Sequence, residues 1–426
     1  MKKYKKLRKN ERNALMLTLE GTLAAIALNL TNPFYSMFAR RMGAGDYQIG
    51  LISSLPSLVV LFTLIPGSLL VDKYLDKKKI VAGFIFISAI LFAIVSLTPL
   101  AGSAKVAMFI LAISILNFPY SLYTISWQSF FSDVFSSGNT NAPYAVRTKV
   151  STFFGVLTLL IAGLILTYIP KSDMGRINTY QMFYISAFVL TIIQMKMLLN
   201  VKGYQVPERT NSENGINALK AAIKGLFKNK GFSRFIMFAF FFHVAWQMAW
   251  PLFFIYQVDY LFANEAWISY LNVSYGLAST FMFGYWSRMI DKKGPVLVLV
   301  VGAIGMALNP LLLILTDNLL VALAIYISLG LMSPAFLLGL FQSMLQAVPE
   351  ENKTLNIAIY TTAINVSGFL SPIMGVAIYK MTTIHFAMTL SSALRFMGAL
   401  LFYLSYKYSL PQKINIKADV SEKVNQ

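Results

Sequence analysis

Residues 68–80 read SLLVDKYLDKKKI and residues 287–297 read SRMIDKKGPVL. Each stretch places an Asp-Lys pair and further basic residues in a gap between two long apolar runs, and the gap is too short to be a domain. The two pairs, Asp72-Lys73 and Asp291-Lys292, lie 219 positions apart in a chain of 426 residues. This spacing, close to half the chain, predicts two copies of one structural unit.

The apolar runs on either side of these gaps recur from end to end of the chain. Hydrophobic residues make up 57% of the chain and charged residues only 12%, against about 25% charged in soluble domains. Each run is long enough to cross a hydrocarbon core about 30 Å thick. The sequence therefore predicts an all-α membrane protein with twelve spans, at 14–38, 47–71, 80–100, 106–130, 149–169, 180–200, 233–257, 267–289, 296–316, 319–345, 356–379 and 385–406.

The basic residues give the orientation of these spans. The net charge is +19, and 29 of the 36 Lys and Arg residues fall in alternate loops with the adjoining span ends and at the two termini, with six in the other loops. Basic residues concentrate on the cytoplasmic side of membrane proteins, so we expect both termini in the cytoplasm and contact with anionic inner-leaflet headgroups. No basic-aromatic patch stands apart from the spans, which argues against nucleic acid as a partner.

The longest polar interval, residues 201–232, divides the spans six and six. Its second half, ALKAAIKGLFK at 218–228, has the spacing of a basic helix lying on a membrane surface. We expect two six-helix bundles, 1–200 and 233–407, with 201–232 as a cytoplasmic linker and 408–426 as a cytoplasmic tail. The chain has no cysteine, which excludes disulfides and thiolate metal sites, and no cofactor is predicted.

The short outer loops repeat as well. At the same offset of 219, Ala44-Gly45-Asp46 aligns with Ala263-Asn264-Glu265, and Ile49 aligns with Ile268. Two bundles related by an axis along the membrane normal are typical of transporters, whose substrate sites lie near the bilayer midplane.

With twelve spans in place, four stretches carry a family resemblance. The two inner gaps resemble the cytoplasmic loop motif of the major facilitator superfamily, with Ser287, Asp291, Lys292 and Gly294 fitting in the second copy. In the first copy Leu75 stands where the family has Gly. Further stretches are similar to the loop after span four and to spans ten and eleven: WQSFFSDV at 127–134 followed by Arg147, and SPAFLLGLFQSMLQAVPEENKT at 333–354 followed by GFLSPIMG at 368–375.

The resemblance implies the fold of that superfamily and roles for its loop residues. In similar proteins the inner Asp and its basic neighbours latch the cytoplasmic side through charge-assisted hydrogen bonds at a neighbouring helix end. The gating set that it implies here is Asp72, Lys73, Asp133, Arg147, Asp291 and Lys292. The alternative is that these charges only set the topology.

Polar faces on the spans give the candidate solute contacts. Thr22, Asn29 and Asn32 share a narrow stripe of span one with Thr18 and Ser36. Lipid offers such groups no partner, so the stripe faces protein or a wet cavity. In the resembled family spans one, four, seven and ten line the central cavity. Bonds to neighbouring helices are the alternative.

Span seven presents His243, Trp246, Gln247 and Trp250 at i, i+3, i+4 and i+7. Indoles and an amide suit an uncharged or amphipathic solute, through ring contacts and a few polar ones; bulky packing between helices is the alternative. Spans four and ten add the candidates Tyr123, Trp127, Gln128 and Gln342.

Three ionisable side chains within spans are costly to bury and are therefore functional candidates. Glu20 points away from the polar stripe, and is either a protonation site between helices or the partner of a Lys or Arg. His243 could carry a proton or could be a neutral wall residue. For Arg395 on span twelve, a structural ion pair or bonds to helix carbonyls are favoured over contact with a substrate carboxylate.

These features predict a proton-coupled secondary transporter in the plasma membrane that works as a monomer on a small organic solute. The sequence has no phosphate-binding GxxxxGK[ST] motif, so ATP is not expected to drive transport. A lipid flippase or drug exporter of the same fold is the alternative, although span five lacks the Gly-Pro-rich motif of the family's drug/proton antiporters. A membrane-embedded lipid-modifying enzyme fits least, because the chain has two histidines and neither HExxH nor an Asp-rich run.

Overall fold

The computed structural model describes the backbone of residues 2–73, 76–135, 141–202, 229–349 and 353–424, and the side chains of 10–63, 76–135, 142–202, 229–349 and 356–404. All regular secondary structure in these ranges is helical, which confirms the predicted fold class. The Asp72 and Lys73 side chains and most of the predicted 201–232 linker lie outside the described residues.

The helices of the first half are α1 (Lys2–Thr31), α2 (Tyr35–Arg41), α3 (Asp46–Lys73), α4 (Lys77–Leu97), α5 (Lys105–Val134), α6 (Asn141–Tyr168) and α7 (Asp173–Leu199). Those of the second half are α8 (Lys230–Gln247), α9 (Trp250–Ile255), α10 (Glu265–Lys293), α11 (Pro295–Leu313), α12 (Leu319–Ala347), α13 (Lys353–Met381) and α14 (Ile384–Val424). The last helix continues well beyond the predicted span 385–406.

Eleven helical segments in the described part of the chain are long and apolar enough to cross a membrane. The predicted span 267–289 corresponds to α10, which has 29 residues and at 1.5 Å per residue extends about 44 Å. This helix is long enough to span the bilayer, but its Ser, Asn and Thr residues make it less apolar than the other eleven.

The first span of each half is interrupted near its end by a proline. A 3₁₀ turn over Asn32–Phe34 separates α1 from α2 and contains Pro33, and Pro251 stands in the first turn of α9 after the break that ends α8. Proline lacks the N–H that would continue a helix. The two prolines lie 218 positions apart, one residue from the repeat offset, so the interruption is repeated with the sequence.

The outer turns repeat in conformation too. Gly43 has φ +97° and Phe262, 219 positions later, has φ +55°. Glycine adopts this left-handed region without strain, whereas a bulky side chain rarely does. Phe262 is 82% exposed, so the position is fixed by the turn that leads into α10 and not by packing of the ring.

The chain divides into two compact units, and α10 is shared between them. Unit 1 comprises Met1–Asn217 with Gln257–Val273, and unit 2 comprises Ala218–Tyr256 with Ser274–Gln426. The outer turn before α10 and the first part of α10 therefore pack with the helices of the first half.

The core of unit 1 has an aromatic layer at one end and an apolar cluster at the other. Phe38 lies 5.1 Å from Phe109 and 4.7 Å from Tyr180 between ring centroids, and all three rings are buried. The second cluster, from α1, α4, α5 and α7, includes Leu17, Val81, Ile85, Trp127, Phe130 and Leu198.

In unit 2 the closest helix approaches depend on glycine. A Cβ added at Gly302 on α11 would lie 2.2 Å from the backbone nitrogen of Phe336 on α12, and one at Gly339 would lie 2.6 Å from that of Leu299. Without a hydrophobic force between spans, such close packing is a main source of association in lipid. Beside this contact Phe242 and Phe336 stack with centroids 4.6 Å apart.

Replacing Gly302 by Ala tests this packing. The new methyl group meets backbone atoms that cannot rotate away, so we expect a loss of about 1–3 kcal/mol and a lower melting temperature in detergent. Gly276→Ala on α10 is the matched control, because a Cβ there meets nothing within 4 Å. Equal melting temperatures for the two variants would contradict the close approach of α11 and α12.

Candidate functional site

Side chains in the polar stripe of α1 donate hydrogen bonds mostly to backbone carbonyls of α1 itself. Thr22 Oγ1 donates to the Thr18 carbonyl at 2.8 Å and Asn29 Nδ2 donates to the Ala25 carbonyl at 2.8 Å. Asn29 also lies against α6, since a Cβ at Gly155 would come within 2.8 Å of its Nδ2. Asn32 is in the 3₁₀ turn and lines a cavity within unit 1.

Glu20 is the centre of a buried polar cluster in unit 1. Its carboxylate is fully buried and accepts hydrogen bonds from Tyr123 (2.6 Å) and Trp127 (3.1 Å) on α5, Gln194 (2.8 Å) on α7 and Arg147 (3.1 Å) on α6. Glu20 is thus paired with an Arg, which is one of the two possibilities that the sequence left open. Tyr123 and Trp127, predicted as solute contacts, bind this carboxylate.

Arg147 lies flat between α1 and α5. Its Cζ is 3.8 Å from the centre of the Trp127 ring, and its Nε donates to the Leu17 carbonyl at 3.2 Å. Gly21 makes room for it, because a Cβ there would come within 2.5–2.8 Å of the guanidinium. The resemblance assigns Arg147 to gating, and the structure places it on Glu20.

The predicted face of span seven is an aromatic cluster in unit 2. The Trp246 ring lies 5.5 Å from His243, 5.7 Å from Trp250 and 5.3 Å from Phe336 between centroids. His243 Nδ1 is 2.7 Å from the Ala239 carbonyl of its own helix. A hydrogen bond to that carbonyl requires the proton on Nδ1, so Nε2 is an acceptor in the neutral ring.

The remaining solute candidates are dispersed. Gln247 accepts a hydrogen bond from Ser367 Oγ on α13 at 2.6 Å, so its amide oxygen is already engaged. Trp250 is 36% exposed, and Gln128 and Gln342 are also exposed. Within unit 2 the structure therefore groups His243, Trp246 and Trp250 through ring contacts.

Two of the predicted gating residues lie at described ion pairs and two are exposed. Asp133 accepts from Lys77 Nζ at 2.9 Å, tying the end of α5 to the start of α4. Asp291 and Lys292 are exposed in the last turn of α10. The turn after them is closed by Gly294, whose φ of +84° explains why the second copy has glycine there.

A cavity of about 90 Å³ lies inside unit 1, beside the Glu20 cluster. Its lining comes from α1, α2, α4, α5, α7 and the 3₁₀ turn and is apolar, aromatic or neutral polar. The polar and aromatic members are Asn32, Tyr35, Ser88, Phe92, Asn117, Tyr120, Tyr123, Thr191 and Gln194. Sequence analysis missed Thr191 and Gln194, which follow the interior face of span six.

At the outer end of unit 1, sequence analysis counted Arg40 and Arg41 only as loop charges, yet both form ion pairs. Arg41 holds the carboxylate of Glu265 through Nε (3.0 Å) and Nη2 (3.3 Å) and also contacts Asp173 (3.1 Å). The Glu265 side chain is 1% exposed. These pairs attach the first turn of α10 to α2 and α7.

Arg40 forms the other ion pairs at this end of unit 1. Together with Arg41, Asp46, Asp173, Asp259 and Glu265 it makes up what we call the outer cluster. It binds Asp46 at 2.6 Å and also Asp259. Arg40 and Asp259 are 219 positions apart, as are Asp46 and Glu265. Arg40 and Asp259 thus carry opposite charges at equivalent positions of the two repeats, whereas Asp46 and Glu265 carry the same charge.

In unit 2 the buried Arg395 binds backbone carbonyls. Its guanidinium is 1% exposed and donates to Ala245 (3.4 Å), Trp246 (3.1 Å) and Met306 (2.8 Å). The first two carbonyls lie in the last turn of α8, where backbone partners are few; the Trp246 carbonyl also accepts from the N–H of Ala249 at 3.3 Å. The Met306 carbonyl is four residues before Pro310 and lacks an intrahelical donor for that reason.

This arrangement confirms the interpretation of Arg395 as a residue that binds helix carbonyls. The partial negative charge at a helix C-terminus favours a cation, so the guanidinium is compensated without a carboxylate. Ser391 and Ser392 complete the junction by donating to Ala245 and Ala307.

The fold and these buried polar clusters define the class of the protein as a polytopic membrane protein built from two repeated helical units. A family model described as Major Facilitator Superfamily matches residues 17–266 and 236–423, and the chain belongs to this superfamily, whose members are transporters. The resemblance noted in the loops is confirmed.

Solved structures give the same fold at low identity. A point mutant of the nucleoside transporter NupG matches with a TM-score of 0.74 at 15% identity, over 92% of this chain and 100% of that chain. A bacterial homolog of the human lysosomal transporter Spinster, inward-facing and unoccupied, matches with a TM-score of 0.69 at 13% identity, over 94% and 97%. No curated protein sequence matches the chain.

Replacing Arg395 by Leu should destabilise the protein by about 3 kcal/mol or more, because the Met306 carbonyl loses its donor and the Ala245 and Trp246 carbonyls each lose one of theirs. The melting temperature of the purified protein measures this loss. Ser392→Ala is the control with a single lost hydrogen bond, expected to cost about 1 kcal/mol. A Leu variant as stable as the parent would show that the carbonyls do not need the guanidinium.

Replacing Arg41 by Gln should lower stability by about 3 kcal/mol, since it leaves the Glu265 carboxylate buried without its bidentate partner. Arg176→Gln is the matched control, because Arg176 pairs with Asp173, whose side chain is 72% exposed, and such surface pairs contribute about 0–1 kcal/mol. Thermal unfolding compares the two variants. Equal decreases in melting temperature would refute the claim that the Arg41–Glu265 pair contributes more stability than the surface pair.

Proposed function

We propose that this protein is a secondary active transporter that moves a small, uncharged or amphipathic organic solute across the plasma membrane by alternating access, coupled to protons. Superfamily membership supports transport as the activity. The observation that carries the coupling is the buried Glu20 carboxylate with its four donors, one of them the guanidinium of Arg147.

Glu20 suits a protonation site because all four contacts are donations to its two oxygens. A protonated carboxyl turns one oxygen into a donor, and that oxygen must then give up at least one of the hydrogen bonds that it accepts. Protonation also removes the charge that attracts Arg147. Proton binding would therefore loosen the link between α1 and α6, whereas a purely structural pair would keep it.

The solute class follows from the neutral character of the candidate contacts. The cluster around Trp246 on α8 consists of the rings of His243, Trp250 and Phe336. A phosphate ester would call for paired basic groups beside it. These surroundings favour a solute that combines an apolar body with uncharged hydrogen-bonding groups.

We place the basic ends and inner loops in the cytoplasm, against anionic lipid headgroups, and expect the protein to work as a monomer. In this proposal Asp72, Lys73, Asp291 and Lys292 latch the inner side, and Asp133 with Lys77 supports the latch between α4 and α5.

The first test is a thermal-stability screen of the purified protein against nucleosides, sugars, amino acids, organic acids, amphipathic drugs and lipids. A ligand at 100 times its Kd adds about 2.7 kcal/mol, which is visible in the melting temperature. A hit lost in Trp246→Ala and Asn29→Ala would support the predicted contacts, and a hit untouched by both would refute them. A response to lipids alone would favour a flippase.

The hit then allows a test of coupling in proteoliposomes with an imposed pH gradient. Glu20→Gln should still bind the solute and exchange it but should no longer accumulate it, because Gln cannot take up the proton. Glu11→Gln, at an exposed position of the same helix, should accumulate it normally. Gradient-driven accumulation by Glu20→Gln equal to that of the control would refute proton coupling through Glu20.

A further inference from the structure

The cavity inside unit 1 is too small for the transported solute. Its volume is about 90 Å³, whereas sites for organic ligands measure about 300–1,000 Å³. A water needs only about 10–15 Å³ of space measured in this way, so the cavity has room for several waters. The cavity therefore needs a role other than holding the whole solute.

One polar atom in the cavity wall points to water as the occupant. Thr191 is 3% exposed and lines the cavity, and its Oγ1 has no hydrogen-bond partner among the described protein atoms. Buried hydroxyls in proteins are nearly always hydrogen-bonded, to ordered water where protein offers no partner. The amides of Asn32 and Asn117 in the same wall give further polar groups, and polar cavities of this size retain water.

Two residues of the wall connect this cavity to Glu20, which does not itself line it. Tyr123 and Gln194 both line the cavity and both donate to Oε1 of Glu20, at 2.6 and 2.8 Å. A side-chain amide is a poor carrier for a proton, because its nitrogen donates but does not accept. A phenol oxygen can donate and accept at the same time.

We propose that the cavity is a water site that supplies protons to Glu20 through the hydroxyl of Tyr123. A hydronium ion in the cavity gives its proton to the phenol oxygen while the phenol's own proton passes to Oε1 of Glu20. The products are water, neutral Tyr123 and neutral Glu20, with the charge of Arg147 unchanged. The relay rests on the proposed proton coupling through Glu20 and adds the route by which the proton arrives.

The relay is tested by time-resolved infrared spectroscopy of the full-length protein in detergent after a pH jump. The band of the protonated carboxyl that is missing in Glu20→Gln reports on Glu20 directly and needs no solute. Tyr123→Phe keeps the ring and removes the hydroxyl, and we expect it to slow the rise of this band by about a hundredfold. Tyr120→Phe is the matched control, because Tyr120 lines the same cavity and its ring centre is 6.1 Å from that of Tyr123.

Two further variants keep the test decisive if Tyr123→Phe unfolds. Thr191→Val removes the hydroxyl that anchors the water at constant volume and should also slow the band. Tyr123→His restores a group able to pass a proton and should recover part of the rate. Equal rates in the parent, Tyr123→Phe and Thr191→Val would overturn the relay.

Failure of the relay and failure of the proposed function give different results. A Glu20 band that rises at the parental rate in Tyr123→Phe, with gradient-driven uptake intact, removes only the relay. A carboxyl band that never depends on Glu20 between about pH 4 and 9 removes proton coupling through Glu20 and the relay together. Solute transport itself is then judged by uptake alone.

Discussion

A charge buried among helices in hydrocarbon has to be neutralised by groups that the fold places beside it, and this requirement shapes both units. Glu20 is neutralised by Arg147, and Arg395 by the carbonyls of α8 and α11. The two solutions differ in what they allow. An acid paired with a base can be uncoupled by a proton, whereas carbonyl dipoles are permanent. The first suits a moving part, and the second suits a fixed junction.

Gly21 makes the pairing of Glu20 with Arg147 possible. Gly21 leaves a flat surface on α1 one residue after Glu20, and the guanidinium of Arg147 occupies the space that a side chain there would fill. At the fixed junction the same device recurs, since a Cβ at Gly375 on α13 would collide with the Met248 carbonyl just after α8 ends. Small residues thus decide where helices and charged groups can approach in the absence of a hydrophobic force between spans.

Much of the fold could be predicted from the sequence. The length of the apolar runs and the distribution of loop charges depend directly on the bilayer, and the repeat offset indicates two copies of one unit. The carbonyl partners of Arg395 were also within reach, since no carboxylate lies near it in the sequence pattern. The Glu20 cluster was harder. Its donors come from α5, α6 and α7, and helical periodicity gives the face of one helix without saying which neighbour meets it. Gln194 was not singled out on span six, and Tyr123 and Trp127 were assigned to solute because periodicity does not show that they face Glu20.

The outer cluster contains an ion pair between equivalent positions of the two repeats. Arg40 and Asp259 occupy equivalent positions of the two repeats and bind each other, next to the turns in which Gly43 and Phe262 share a left-handed backbone. In a dimer of identical halves, a residue at such a position meets its own copy, and two arginines or two aspartates would repel. The attraction seen here is open only to halves that are joined in one chain and have diverged in sequence. An ion pair between equivalent positions is thus available to a single chain with two unlike halves and is closed to a symmetric dimer.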